Sequence, residues 1–149
     1  MESKYFTIAD VVLGLASFGI GVFHGVCDAS GTPALKDMTH YILAAAPTAV
    51  QSVVNGLAGG IDALADGITN RHATEKIPIE YARKGLFNYG YHVEISLGRP
   101  LGKLDKLTII PAAGAGGAAI GSIYGAAVGA AETALGYGLG RLLAKHIIA

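Results

Sequence analysis

Five ionisable side chains lie within or beside long apolar blocks of this sequence, and their chemistry needs explaining first. They are Asp10, His24, Asp62, Asp66 and Glu132. An ionisable group in a membrane helix is costly, and it usually marks an ion or proton path or a bond between helices. Asp10, His24 and Asp66 lie near the block ends, within reach of headgroup water. Asp62 and Glu132 are the candidates for a bond between helices.

No arrangement typical of catalysis accompanies these residues. The five histidines form no HExxH or HxH pair, and the glycine-rich run near Gly114 lacks the strand and acidic residue of a nucleotide-binding loop. No G-x-S-x-G elbow occurs. The single cysteine, Cys27, excludes an intrachain disulfide and a cysteine-based metal cage. We therefore expect a protein that is not an enzyme, with no catalytic residue, metal site or cofactor.

The composition favours a membrane protein. Apolar residues make up 52% of the 149 residues and charged residues only 15%, against about 25% charged in an average protein. The 11 basic and 11 acidic residues balance, which argues against a nucleic-acid partner. Because the apolar residues form long blocks, we expect residues 1–149 to form a single membrane domain.

Glycine dominates the longest block, residues 111–146. Glycines recur there at every fourth position, and two more fall close to the same line, so one face of a helix carries no side chains. Each glycine costs about 1 kcal/mol in a water-exposed helix, whereas in lipid small residues let two backbones approach closely. The pattern predicts a long membrane helix with a glycine-zipper packing face. Its residues are Gly117, Gly121, Gly125, Gly129, Gly136 and Gly140.

The first block, residues 5–27, is long enough to span a bilayer. Its small and polar residues step by three and four positions, which places them on one seam, and the other faces carry apolar side chains. The small residues of this seam are Gly14, Ser17 and Gly21, and we expect them to pack against another helix.

The second block, residues 41–68, is amphipathic. Gln51, Asn55, Asp62 and Asp66 share one helical face. The helix either spans the membrane with this face buried in protein or lies at the interface. The absence of Lys and Arg between positions 41 and 70 favours spanning. Together with Glu132, this face is a candidate pore lining or polar contact surface.

The polar segment 69–106 connects the second and third blocks. Apolar and polar residues alternate from Phe87 to Leu97, which predicts a strand. A lone strand needs a partner, so we expect a short strand or hairpin, paired with a neighbouring copy or held as an extended arm. Three spans would place eight Lys and Arg on the side of the N-terminus and this segment and three on the other. The positive-inside rule then predicts that both are cytoplasmic.

The sequence thus predicts an all-α membrane protein of about three helices, with a polar segment that contains the strand. The function that fits best is a small integral membrane structural protein that self-assembles through its glycine-rich helix. Such a protein is a subunit of a virion envelope, a pilus-like filament or a scaffold, and its partners are its own copies and lipid. Two alternatives remain: a channel subunit lined by helix 41–68, and a soluble helical shell or filament subunit whose neighbours bury its apolar faces.

Overall fold

The structure, a computed structural model, describes residues 8–31, 38–69, 75–83 and 86–148. These residues are mostly helical. The three long helices are α1 (Ile8–Ala29), α2 (Met38–Thr69) and α3 (Lys103–Leu143), and α3 continues as a π-helical turn (Ala144–Ile148). Between α2 and α3 lie two strands, β1 (Lys76–Arg83) and β2 (Tyr89–Ser96).

The three predicted apolar blocks correspond to the three helices. α1 and α2 begin and end within three residues of the predicted limits, and residues 5–7 lie outside the described part. All three helices are long and apolar enough to cross a membrane, judged by length and composition. The prediction of three membrane-length helices and a short strand is therefore confirmed.

α3 begins earlier than predicted. It starts at Lys103, so Pro111 lies in its third turn and not in the first. The early start has a local cause, because the Gly102 N–H donates to the Asp105 carboxylate at 2.8 Å and Arg99 also binds that carboxylate. A carboxylate in the first turn satisfies a free N–H group and complements the helix dipole.

α3 is one continuous helix from Lys103 to Leu143, although the charged residue Glu132 lies within it. Its 41 residues correspond to about 60 Å at 1.5 Å per residue. That length is twice the hydrocarbon thickness of a bilayer, about 30 Å. One part of α3 must therefore project beyond any membrane that the helix crosses.

The strand predicted from the alternation between Phe87 and Leu97 is β2. Its partner is β1 of the same chain, paired antiparallel with Lys76 opposite Ser96 and Arg83 opposite Tyr89. The prediction left pairing with a neighbouring copy open, and the structure shows a hairpin. Alternate residues of β1 are buried against the helices: Ile77, Ile79, Tyr81 and Arg83.

Two layers make up the fold. One layer is the antiparallel pair of α2 and α3, in which Gly59 meets Gly117 and Gln51 meets Gly125. The second layer covers one side of this pair and has two parts placed end to end. α1 lies parallel to the C-terminal half of α3, where Phe18 meets Gly136. The hairpin packs on the N-terminal half of α3 and on the C-terminal half of α2.

The part of the fold in which α1 packs on α2 and α3 is called the three-helix half below. The part in which β1 and β2 pack on α2 and α3 is called the hairpin half. The hairpin half contains the apolar core, in which hairpin side chains pack against two helices. Burying a large apolar side chain stabilises a fold by about 1.5–3 kcal/mol, so this core fixes the hairpin in place. Its buried members are Ala63, Ile77, Ile79, Tyr81, Tyr91, Ile109 and Ala113.

Candidate functional site

The glycines singled out in α3 lie where α3 meets the other helices. A methyl group on Gly121 or Gly125 would overlap the carbonyl oxygen of Asn55 or Gln51, both in α2. Gly117 likewise faces the Gly59 carbonyl oxygen, and a methyl group on Gly129 would lie 3.0 Å from the Thr48 Cα. Farther along, Gly136 and Gly140 face the carbonyl oxygens of Phe18 and Val22 in α1.

The predicted seam of α1 forms the α1 side of the contact between α1 and α3. A methyl group on Gly21 would overlap the Thr133 carbonyl oxygen, and one on Gly14 would lie 2.9 Å from a Glu132 carboxylate oxygen. Ser17 is buried beside them. The chain thus uses both sets of small residues for contacts within itself, and at Gly21 and along α3 glycine is required because backbone approaches backbone.

Glu132 is the polar group at the centre of the three-helix half. Only 3% of Glu132 is exposed. The Gln51 side-chain amide donates to the Glu132 carboxylate at 2.5 Å and to the Ser17 hydroxyl at 2.7 Å. The Ser17 hydroxyl in turn donates to the Leu13 carbonyl oxygen at 2.8 Å. This network joins α1, α2 and α3 through side chains.

Arg83, at the end of β1, is the second buried charge. Its guanidinium pairs with Asp10 of α1 at 2.5 Å, and the side chains of Arg83 and Asp10 are only 8% and 7% exposed. The same guanidinium donates to the Asn55 side-chain oxygen of α2, and the Asn55 amide donates to the Tyr89 hydroxyl. Tyr81 also donates to the Asn55 oxygen, at 3.2 Å. Arg83 therefore ties the hairpin to two helices.

The two networks face each other across a small cavity. Its volume is about 10 Å³, and Asp10, Gln51, Arg83 and Glu132 contribute to its lining. A cavity of this size with several polar walls holds about one water molecule. Two carboxylates and one guanidinium meet here, at the junction of the two halves.

The remaining ionisable residues of the apolar blocks lie apart from this junction. Asp62 is buried and Asp66 half-buried on α2. His24 is buried near the far end of α1, with its ring centroid 5.1 Å from that of Tyr137. The Tyr137 hydroxyl donates to the Asp28 carboxylate at 2.6 Å, and Arg141 lies 3.6 Å from the same carboxylate. This second group of charges marks the other end of the three-helix half.

Tyrosine rings pack where the hairpin meets the helices. Tyr81 stacks on Tyr91, and Tyr89 stacks on Tyr124 of α3. The Tyr91 hydroxyl donates to the Gly117 carbonyl oxygen at 2.9 Å. Burial raises the pKa of Tyr91 to about 12, and the nearby Asp62 charge adds to the shift. Burial also raises the pKa of Tyr81 and Tyr89. These hydroxyls therefore stay protonated in the folded protein.

The outer face of the hairpin is charged. Lys76 bonds Glu94 at 2.9 Å, and His92 lies 2.9 Å from the Glu80 carboxylate. The salt bridge raises the pKa of Lys76 and lowers that of Glu94. All four side chains are at least one-third exposed, so this side of the hairpin is open to solvent.

Comparison of the chain with models of known protein families, with curated protein sequences and with solved structures finds no match. Function must therefore be argued from the site itself. Among the described residues, no group of three or more His, Cys, Asp or Glu side chains is placed to hold a metal ion. Among the buried charges, Asp10 pairs with Arg83 and Glu132 accepts from Gln51, and these bonds connect the helices and the hairpin.

Sequence reasoning missed Arg83 and the tyrosines of the hairpin. A signal was present, because Ile77, Ile79 and Tyr81 are large apolar residues at alternate positions, as on the buried side of a strand. Arg83 continues the apolar side of that alternation. An arginine on the apolar side of a strand indicates a buried partner. The sequence offers no way to choose Asp10 as that partner, since the two are distant along the chain.

Proposed function

We propose that the protein is a structural subunit of a membrane-embedded assembly, anchored by three spans and associating with its own copies. The observation that carries the proposal is the pair of charge groups at the two ends of α1. Asp10 pairs with Arg83 and Asp28 lies beside Arg141. Asp28 follows Asp10 by 18 positions, a rise of about 27 Å along a helix. This distance matches a hydrocarbon core of about 30 Å.

The surface between the two charge groups supports the same placement. The large outward side chains of α1 there are apolar, with Val12, Leu15 and Phe23 each more than half exposed. Polar side chains such as Gln51 and Glu132 face inward. Tyrosines lie at both ends, as is common at membrane interfaces. In this proposal the three-helix half spans the lipid and the hairpin half projects into water.

A structural role follows from what the buried groups do. The glycine contacts and the two polar networks hold helices together, and the cavity between the networks has a volume of only about 10 Å³. The glycine-zipper face of α3 contributes to the assembly by making each subunit rigid. Envelope, filament and scaffold roles all fit a subunit of this kind.

Membrane fractionation tests the anchoring part of this proposal. We expect the chain to remain in the membrane pellet after an alkaline carbonate wash, because apolar spans of about 20 residues do not leave lipid when salt or pH changes. The natively extracted protein should be larger than one chain in mild detergent. Release of most of the protein into the wash would instead support the soluble shell subunit.

Conduction is the second candidate, because Asp10, Gln51 and Glu132 are polar groups buried between helices of membrane-spanning length, as in ion paths. Vesicles reconstituted with the purified protein would separate the two functions. A structural subunit leaves a potassium or proton gradient intact. A channel dissipates the gradient, and Glu132→Gln would then change the rate.

The greater number of Lys and Arg residues on the side of the hairpin sets the proposed orientation, in which the hairpin lies in the cytoplasm. A cysteine at Asn88, on the exposed end of the hairpin, should resist an impermeant thiol reagent in intact cells and react after lysis. Ser30 is exposed at the opposite end of α1. With both cysteines placed in a Cys27→Ala background, the cysteine at Ser30 should react in intact cells. The reverse pattern would invert the topology.

A further inference from the structure

A cleft opens at the end of the three-helix half that is far from the hairpin. It lies between the end of α1 and the C-terminal end of α3, and its volume is about 760 Å³. Ala29 and Ser30 line its α1 side, and Gly138 and Leu142 line its α3 side. Gly138 helps to keep the cleft open, since a methyl group there would meet no atom within 4 Å. Ligand-binding clefts have volumes of about 300–1,000 Å³, so this one has room for a small molecule.

The charge in the cleft is positive. Among the described residues that line it, two are charged and both are cations, Arg141 and Lys145. The Asp28 carboxylate lies 3.6 Å from Arg141, and one carboxylate balances only one of the two charges. The helix ends change this balance little, because α1 and α3 end here and the antiparallel α2 begins here, so their dipoles partly cancel. The cleft therefore favours an anionic group between the two cations.

The walls and the position of the cleft favour a lipid phosphate among the possible anions. Leu142, which is 57% exposed, and Ala144 give the cleft an apolar wall beside its cations. A phosphate ion gains nothing from that wall, whereas a phospholipid can lay its glycerol and first acyl carbons against it. In the proposed placement, the contact between Asp28 and Arg141 lies at the membrane surface, which is the level of lipid phosphates.

We propose that this cleft binds one phospholipid through its headgroup phosphate, which Arg141 and Lys145 hold from two sides. Arginine presents a planar set of N–H donors that matches phosphate oxygens, and lysine adds a point charge. The π-helical turn that begins at Ala144 forms part of the same wall, and such turns are frequent at functional sites. The inference rests on the proposed function in one respect, the placement of this end of the helices at the membrane surface.

Native mass spectrometry of retained lipid tests the cleft. The full chain would be reconstituted in vesicles of equal parts phosphatidylglycerol and phosphatidylcholine and then released into mild detergent. We expect the wild type to retain phosphatidylglycerol in preference, because the choline cation is repelled by the two cations. Arg141→Gln/Lys145→Gln should lower the retention about fivefold for each cation removed. Gly138→Leu should also lower it, with both charges in place, because the larger side chain fills the cleft.

The matched control removes two cations from the other end of the same helix. Lys103→Gln/Lys106→Gln changes the net charge equally but lies in the hairpin half, so it should retain lipid like the wild type. Unchanged retention in both cleft variants, or an equal loss in this control, would overturn the inference.

Inorganic phosphate distinguishes the two sources of the anion. Added in excess to delipidated wild-type protein, it should raise the melting temperature less than phosphatidylglycerol does. An equal rise would assign the cleft to a soluble phosphate compound and overturn the lipid. Failure of the proposed function shows separately, as loss of wild-type protein from the carbonate-washed pellet.

Discussion

The two halves of this protein hold α3 in different ways. In the three-helix half, backbone meets backbone at glycines, and buried polar side chains such as Gln51 and Glu132 supply the specific bonds. In the hairpin half, α2 and α3 also approach closely, at Gly59 and Gly117, but the hairpin is held by large side chains and its charges face outward. In lipid the hydrophobic effect does not drive apolar helices together, so close packing and hydrogen bonds must hold them. Water drives apolar side chains together directly. The proposed placement, with the three-helix half in lipid and the hairpin half in water, would account for this difference.

The Asp10–Arg83 pair joins the halves, and breaking it should have the largest effect. Asp10→Leu leaves the Arg83 charge buried without its carboxylate, and removing one partner of a buried pair costs about 3–5 kcal/mol. The double variant Asp10→Leu/Arg83→Leu should recover part of that loss, because no lone charge remains. Denaturant unfolding in detergent measures both. Additive losses in the double variant would mean that the two residues do not interact.

The glycine contacts allow a matched test within α3. Gly121→Ala puts a methyl group against the Asn55 carbonyl oxygen, whereas Gly138→Ala puts one into open space. Overpacking costs about 1–3 kcal/mol, and replacing a free helical glycine gains up to about 1 kcal/mol. We expect the free energy of unfolding to fall for Gly121→Ala and to stay level or rise for Gly138→Ala. Equal effects would show that α3 tolerates a side chain at Gly121.

Alkaline pH should loosen the hairpin half more than the three-helix half. The pKa of Tyr91 is raised from 10.0 to about 12 in the folded protein. In the undocked hairpin the Tyr91 hydroxyl loses its proton around its ordinary pKa of 10.0, so the contribution of Tyr91 to docking is fully present below pH 10. That stability is lost as pH rises toward 12. Protease sensitivity at the hairpin should increase over this window, and Tyr91→Phe should lessen the increase. Equal loosening of α1 would contradict a separate hairpin half.

The smallest effect should come from the surface of the hairpin. Lys76→Ala removes a salt bridge between two well-exposed side chains, and such bridges contribute little to stability. The unfolding midpoint should not change measurably. A large loss would mean that this face packs against something and is not open to water.

Local sequence patterns predicted the elements, and long-range contacts decided the site. Four-residue glycine spacing predicted the packing face of α3, and alternation predicted β2. The start of α3 was misplaced because proline is favoured in the first turn of a helix, whereas Pro111 lies inside α3, where it removes one backbone hydrogen bond. The partners of Arg83 stayed hidden, since Asp10 and Asn55 come from different helices and only the fold brings them together.

Membrane depth tests the central claim most directly, namely that the three-helix half spans lipid and the hairpin half lies in water. Spin labels at Phe23→Cys and His92→Cys, in a Cys27→Ala background, would be compared in reconstituted bilayers. Oxygen, which concentrates in lipid, should relax the label at Phe23 more than a water-soluble nickel chelate does, and the chelate should dominate at His92. Oxygen dominating at both positions would place the hairpin in the membrane and contradict the account, and the chelate dominating at both would remove the protein from the membrane altogether.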